Sequence, residues 1–536
     1  MDADWLFTKS DPPNAQSRDF NATDWRHLNV PHDWSIEGPF DEKNPTGGAG
    51  GFLPAGVGWY RKHFTLPAEF AGRNVFIEFD GVMANSDVWI NNTHLGHRPY
   101  GYVGFRYELT GHLDFGPGKT NVLAVRADKA AQPASRWYSG AGVYRHVRLI
   151  VTDPLHFDHW ATFISTPEVS SNQATIHCET TVANQSGRSH EAKVALEING
   201  PGLSKPETVE TAVQHIGSRG TARFQADIVL KKPRVWNLTA PTLYTASAIL
   251  KTGGKTFDRD DVPFGIREAR FEPDTGFWFN GSNLKIKGVC LHHDCGALGA
   301  AVPISAWERR LNTLKQLGCN AIRTAHNPPA PDFLDLCDRM GFLVMDEMFD
   351  CWTVAKNRYD YHLYFEEFCD WTPRNFEPHD EEVEVYSNCE EVELLLNGKT
   401  LGRKTLPPDA SPQAWTVRFV PGVLSAIARS NGQQVAMDEL LTAGKPARPA
   451  SKRSAGILVR IGTKSRTSKR RSSMSTASWF QVLVIWFLSR PPVPALSLPW
   501  TTATSPATNR FRRPSGMRGR AAALQFFALR RRGRLV

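Results

Sequence analysis

From Ser451 to Val536 the chain contains no aspartate or glutamate, although the same 86 residues hold 18 lysines and arginines. The formal charge of +9 over 536 residues therefore belongs to the tail, and residues 1–450 carry −9 once those 18 cations are set aside. An acidic body excludes a nucleic-acid surface as the reading of the high isoelectric point, and neither nucleic acid nor membrane is expected as a partner. The tail, with its clusters Lys469-Arg470-Arg471 and Arg530-Arg531-Arg532, has no amphipathic period long enough to build a core, so 451–536 reads as disordered. Cysteine is sparse: eight residues without a C-x-x-C pair, which predicts buried free thiols rather than disulfides or a metal knot. The N-terminus Met1-Asp2-Ala3-Asp4-Trp5-Leu6-Phe7 lacks a basic n-region and an apolar h-region, so no secretory signal is read and a cytoplasmic location is the default expectation. The longest apolar run, Trp479 to Leu488, is too short to span a bilayer.

What the chain has in quantity is length, tryptophan (16 residues) and short alternating segments. Its length predicts several domains. Val75 to Phe79 and Ser86 to Ile90 alternate and are broken by Gly, Pro and Asn clusters, which predicts a β-sandwich over 1–152. A second β-rich stretch, 153–265, has the length of an immunoglobulin-like sandwich. The pattern then changes to β-α-β-α-β: a strand from Leu284 to Leu291, a helix opened by the capping box Ser305-Ala306-Trp307-Glu308, a strand from Asn320, a helix entered at Pro331 and ended at Gly341, and the strand Phe342 to Met345. Such strands suit a (β/α)₈ barrel, but only about three of its eight units fit into 266–368. Alternation resumes over 377–447, with Asn397-Gly398 as a hairpin turn, predicting a small C-terminal β-sandwich.

Four stretches carry chemistry. These are Pro31-His32-Asp33-Trp34 with Gly58-Trp59-Tyr60-Arg61, the loop Ser135-Arg136-Trp137-Tyr138-Ser139-Gly140-Ala141-Gly142-Val143-Tyr144-Arg145, the segment Lys287 to Asp294, and Asn320-Ala321-Ile322-Arg323-Thr324-Ala325-His326-Asn327-Pro328. In content and order they resemble family 2 glycoside hydrolases of the β-galactosidase type, a resemblance that covers residues 1 to about 365 and the module near 377–447 and implies a galactose-binding-like jelly roll for the sandwich over 1–152. Barrel sites form where strands end, so His292 and Asp294, then Arg323, His326 and Asn327, then Asp346, Glu347 and Trp352 converge on one rim. Arg136 and Trp137 reach that rim, by the resemblance, from the first sandwich. These ten residues are the candidate contacts for a β-galactoside or related oligosaccharide. Two bland readings stand beside them: Arg323 and Asp346 as an ion pair fixing strand ends, and Trp137 as a loop-packing residue. His292, His293 and Asp294 do not make a convincing metal set, and no cofactor is expected.

The resemblance also implies two catalytic glutamates, one after the fourth barrel strand in an Asn-Glu pair and one after the seventh. The chain contains no Asn-Glu dipeptide. Glu366 and Glu367 belong, by the resemblance, to the stretch after the third strand, while Asp346 and Glu347 are neighbours whose side chains should diverge. No catalytic residue is therefore assigned, and an inactive chain is expected, with a non-catalytic carbohydrate-binding protein as the alternative. An internal deletion near 366–378 and an out-of-frame tail from about 451 would account for the pattern.

Overall fold

In Ser86–Ile90 the side chains of Val88 and Ile90 are buried while Asp87 and Trp89 are not, the two-residue period of a strand with one wet face. Repeated along the front of the chain, this period builds a sandwich. The computed structural model describes residues 1–349, 358–360, 380–387, 389–407, 413–442 and 483–488. One sheet of the first sandwich runs in the order Arg26–Leu28, Trp5–Thr8, Val57–Phe64, Asn121–Asp128, Ser86–Ile90, Thr93–Arg98. The other places Asn74–Phe79 between Phe105–Glu108 and Val147–Thr152. Trp5, Tyr60, Ile77, Phe79, Leu123 and Val125 meet between them, each large apolar side chain contributing about 1.5–3 kcal/mol by leaving water. Trp34 and Trp59 are buried too.

The second sandwich is organised by one long pairing. Gln173–Asn184 and Thr221–Lys231 run antiparallel in unbroken register from Gln173↔Lys231 to Ala183↔Thr221. His190–Asn199, Tyr244–Thr252 and Lys255–Phe264 form the facing sheet, and Ile176, Leu196, Leu230 and Val262 fill the space between.

Beyond it, three parallel strands follow, Gly288–Leu291, Ala321–Thr324 and Leu343–Met345, joined by α1 (Ile304–Gln316) and α2 (Pro331–Met340). Ile322, Trp307, Leu311, Phe333, Leu336 and Phe342 pack on the helix side. The first strand is shorter than its sequence suggests. Ahead of Gly288 the Asn320 side chain replaces the ladder, accepting from the Lys287 amide at 2.8 Å and donating to the Lys285 carbonyl at 3.0 Å. Nor does the capping box form. Pro303 is the N-cap residue, its carbonyl taking the Ala306 and Trp307 amides, and Ser305 lies inside the helix. Gly341 does close α2 in the left-handed conformation.

Six cysteines among the described residues are free, and only Cys178, Cys337 and Cys389 are buried. Cys290 is exposed because it lies in one row with Arg323 and Met345 on the sheet face opposite the helices, which the described residues leave open. No helix among the described residues is long and apolar enough to cross a membrane.

The described residues from 380 to 442 and 483–488 belong to a second compact unit. There Gln413–Arg418, Asp380–Ser387 and Leu483–Leu488 form one sheet, and Lys399–Thr405, Glu391–Leu396, Val423–Ser430 and Gln433–Leu441 the other. Val383, Leu394, Trp415 and Leu424 share its core. Asn397 and Gly398 both take positive φ, 51° and 78°, between paired Leu396 and Lys399, as a two-residue hairpin turn requires. The expected break near 366–378, the acids Glu366 and Glu367, and the tail apart from Leu483–Leu488 lie outside the described residues.

Candidate active-site rim and the family it defines

The three parallel strands end side by side, and the residue after each end sets the rim. Arg323 donates to Glu347 Oε1 at 2.5 Å, and His326 Nδ1 lies 3.2 Å from Glu347 Oε2 and 3.3 Å from Arg323 Nη2. Glu347 is buried, so both carboxylate oxygens meet a partner where water cannot reach them. The ion pair expected between Arg323 and Asp346 is not made. Successive side chains at a strand end point apart, so Glu347 turns to Arg323 while Asp346 accepts from Thr324 Oγ1 at 3.1 Å. Burial pushes the Asp346 carboxyl up to about 6, against the lowering effect of the Thr324 hydroxyl.

Over this cluster sits the loop from the first sandwich. The Trp137 ring lies 4.9 Å from that of His326 and 6.0 Å from that of His292, and the two imidazoles are 5.4 Å apart. Arg136 is exposed, its guanidinium 5.5 Å above the indole. Trp137 is only 8% exposed and spends its N–H on the Tyr102 hydroxyl at 3.0 Å, so it acts as a packed wall of the rim. The segment 358–360 fastens the same loop: the Tyr359 and Asp360 amides donate to the Pro133 and Ala134 carbonyls, and Lys129 meets Asp360 at 2.6 Å in a fully buried pair.

Two predicted members lie elsewhere. Asn327 is 1% exposed and, instead of joining His326, borders a cavity on the helix side of the strands. Asp294 folds back toward the Gly296 amide of its own loop. Trp352 lies outside the described residues. Among the described residues no cluster of His, Cys, Asp or Glu is arranged to hold a metal.

The sequence reading missed what aligns the sandwich with the strands. Asp33 accepts from the amides of Ser35, Ala141 and Ala300 and from the Tyr138 hydroxyl, at 2.6–3.1 Å. Arg145 donates to the carbonyls of Tyr102 and Pro328, both at 2.8 Å. Both residues stand inside quoted motifs. The available signal was a charged residue beside a bulky aromatic one, Asp33 before Trp34 and Arg145 after Tyr144, which must be satisfied where the aromatic is buried.

A jelly-roll sandwich, an immunoglobulin-like sandwich and the beginning of a (β/α) barrel, with polar groups gathered at the strand ends, define a modular glycosidase architecture. The chain belongs to glycosyl hydrolase family 2. It matches the family's sugar binding domain over 3–154, a further family 2 domain over 159–267 and the family's TIM barrel domain over 273–364, and a domain of unknown function, DUF4982, over 380–436. It is 46% identical over 369 residues to the beta-galactosidase BoGH2A of Bacteroides ovatus, covering 69% of this chain and 43% of that protein. A putative beta-glucuronidase of Formosa agariphila is 37% identical over 351 residues, covering 65% of this chain and 32% of its own length. The chain thus spans less than half of either relative. Among solved structures, a beta-glycosidase from Bacteroides vulgatus superposes with a TM-score of 0.62 at 25% identity, covering 83% of this chain and 85% of that one. A family 2 member from Bacteroides cellulosilyticus shares the fold with a TM-score of 0.63 at 24% identity, over 83% of this chain and 85% of that one.

Proposed function

We propose that this chain holds the nonreducing end of a β-galactoside or related β-glycoside on the rim around Arg323, His326 and Glu347, and that it does not hydrolyse the bond. The observation that carries the reading is the Arg323–His326–Glu347 cluster under Trp137, a set of charged donors and acceptors beside an aromatic wall at the strand ends. Relatives whose names include beta-galactosidase and beta-glucuronidase support a β-glycoside as the class of ligand.

Retaining hydrolysis needs two carboxyl groups about 5–5.5 Å apart across the glycosidic bond, one as nucleophile and one as acid/base. Of the rim's acids, Glu347 is committed to Arg323 and His326, and Asp346 is turned to Thr324. The barrel match ends at residue 364 and the next domain begins at 380, which leaves too little chain for the remaining units that would carry the missing pair. An internal deletion is the simplest origin of that junction, and the nucleotide sequence across it and across codon 450 tests both the deletion and a frameshifted tail.

The sandwiches are weaker candidates for the sugar, because Trp5, Trp34 and Trp59 of the first and Trp415 of the last are buried in their cores. Purified chain should leave chromogenic β-galactosides and β-glucuronides uncleaved while galactose or glucuronic acid binds in calorimetry and Arg323→Met weakens that binding at least tenfold. Turnover that co-purifies with the chain through every step defeats the catalytic half of the reading. Binding unchanged by Arg323→Met defeats the other half.

A further inference from the structure

A cavity of about 360 Å³ lies between the first sandwich and the barrel strands, on the helix side, with His292 bordering both it and the rim. Its walls are mostly apolar: Leu291, Val302, Ile304, Trp307 and Phe333 border it. Trp307 and Phe333 meet edge to face at 4.9 Å. A volume and lining of this kind suit a small organic ring.

The charged groups on its border are already committed. Arg148 holds Asp80 at 2.6 Å, Arg145 donates to the Tyr102 and Pro328 carbonyls, and His146 bridges Asp332 at 3.0 Å and Asp2 at 2.6 Å. An ionic ligand would find no spare countercharge. Among the described residues, Nδ1 of half-buried His292, Nδ1 of His293 and Nδ2 of Asn327 stand on the border without a hydrogen-bond partner, the last two on side chains 8% and 1% exposed. The roles of the two buried ones follow from chemistry. His293 Nε2 faces the Ser139 carbonyl at 3.2 Å and must donate to it. Burial holds the imidazole neutral, its pKa pushed down to about 3, so Nδ1 is left as an acceptor. Asn327 Nδ2 is a donor.

We propose that this cavity is a binding site for a small neutral aromatic alcohol, with the ring against the Trp307 and Phe333 wall and the hydroxyl donating to His293 Nδ1 while accepting from Asn327 Nδ2. A hydroxyl satisfies both from a single oxygen. A pyranose presents more hydroxyls than the unpartnered atoms here, and would bury the rest unsatisfied against apolar side chains.

Phenol is the probe. Titrated into the full chain, it should bind saturably at one molecule per chain, raise the melting temperature with concentration, and be undisturbed by excess galactose. Ala330→Trp, which fills the cavity, should abolish binding, as should the milder Ala301→Leu if the larger residue prevents folding. Asn327→Leu should weaken phenol at least tenfold while leaving toluene within twofold. Absence of saturable phenol binding overturns the proposal, as does binding that survives cavity filling. Displacement by galactose would move the phenol to the rim and overturn it too.

Discussion

Arg323 and Glu347 differ in how much water each keeps, and this decides what removing either would do. The guanidinium is about a third exposed and the carboxylate 6% exposed. Arg323→Met strands a buried charge, so a loss of about 3 kcal/mol is expected in urea unfolding, whereas Arg323→Met with Glu347→Gln should recover much of it. Asp346 gives the opposite sign. Its pKa is raised to about 6 in the fold, above the ordinary carboxylate range, so its contribution is complete below about pH 4 and lost as the pH rises through about 6. Asp346→Asn should therefore stabilise the protein at pH 7 by about 2–3 kcal/mol, and the two proteins should melt together at pH 4. Equal melting temperatures at both pH values would contradict this.

At the scale of elements, α2 is tied at its C-terminal end to the second sandwich. Lys315 donates to the Leu238 carbonyl at 2.7 Å and also meets the Met340 carbonyl, and the Trp236 indole donates to the Asp338 carbonyl at 2.7 Å. Gly341 sits where these meet, at φ 73°, and a Cβ there would lie 2.5 Å from the Leu238 carbonyl oxygen. Gly318, also at positive φ after α1, has open space around it. Gly318→Ala should cost about 1 kcal/mol, and Gly341→Ala measurably more, because backbone from another domain must move. Thermal melts of the two variants provide the comparison. The helices and their closing glycines were legible from spacing. The start of α1 was not, since Pro303 and Ser305 both suit a helix entry and only the chain's path chooses between them.

Across the whole first unit, His146 joins the two halves of the rim's support. It contacts Asp332 at the start of α2 and Asp2 at the N-terminus, and these raise its pKa to about 9. A histidine pKa raised on folding stabilises fully below about 6.5 and loses that contribution as the pH passes about 9. Limited proteolysis after residue 290 should accelerate between pH 7 and 9.5 and lose that pH dependence in His146→Gln. Unchanged cleavage rates across that range in the wild-type chain would remove the ion pair from any part in holding the strands to the sandwich.

The two β-sandwich layers, the β-α-β-α-β beginning of a barrel, the Asn-Gly hairpin and the gathering of Arg323, His326 and Glu347 near strand ends were determined by the sequence alone, because they follow from local period and from polar residues at fixed offsets. Tertiary structure decided the partners. Whether Arg323 meets Asp346 or Glu347, and whether Asn327 joins His326 or turns to the helix side, depends on the direction each side chain takes from a twisted strand end. That Asp33 carries the interdomain hydrogen bonds depends on residues more than 100 positions away. Local propensity carries no information about contacts at that separation, which form only when the layers pack.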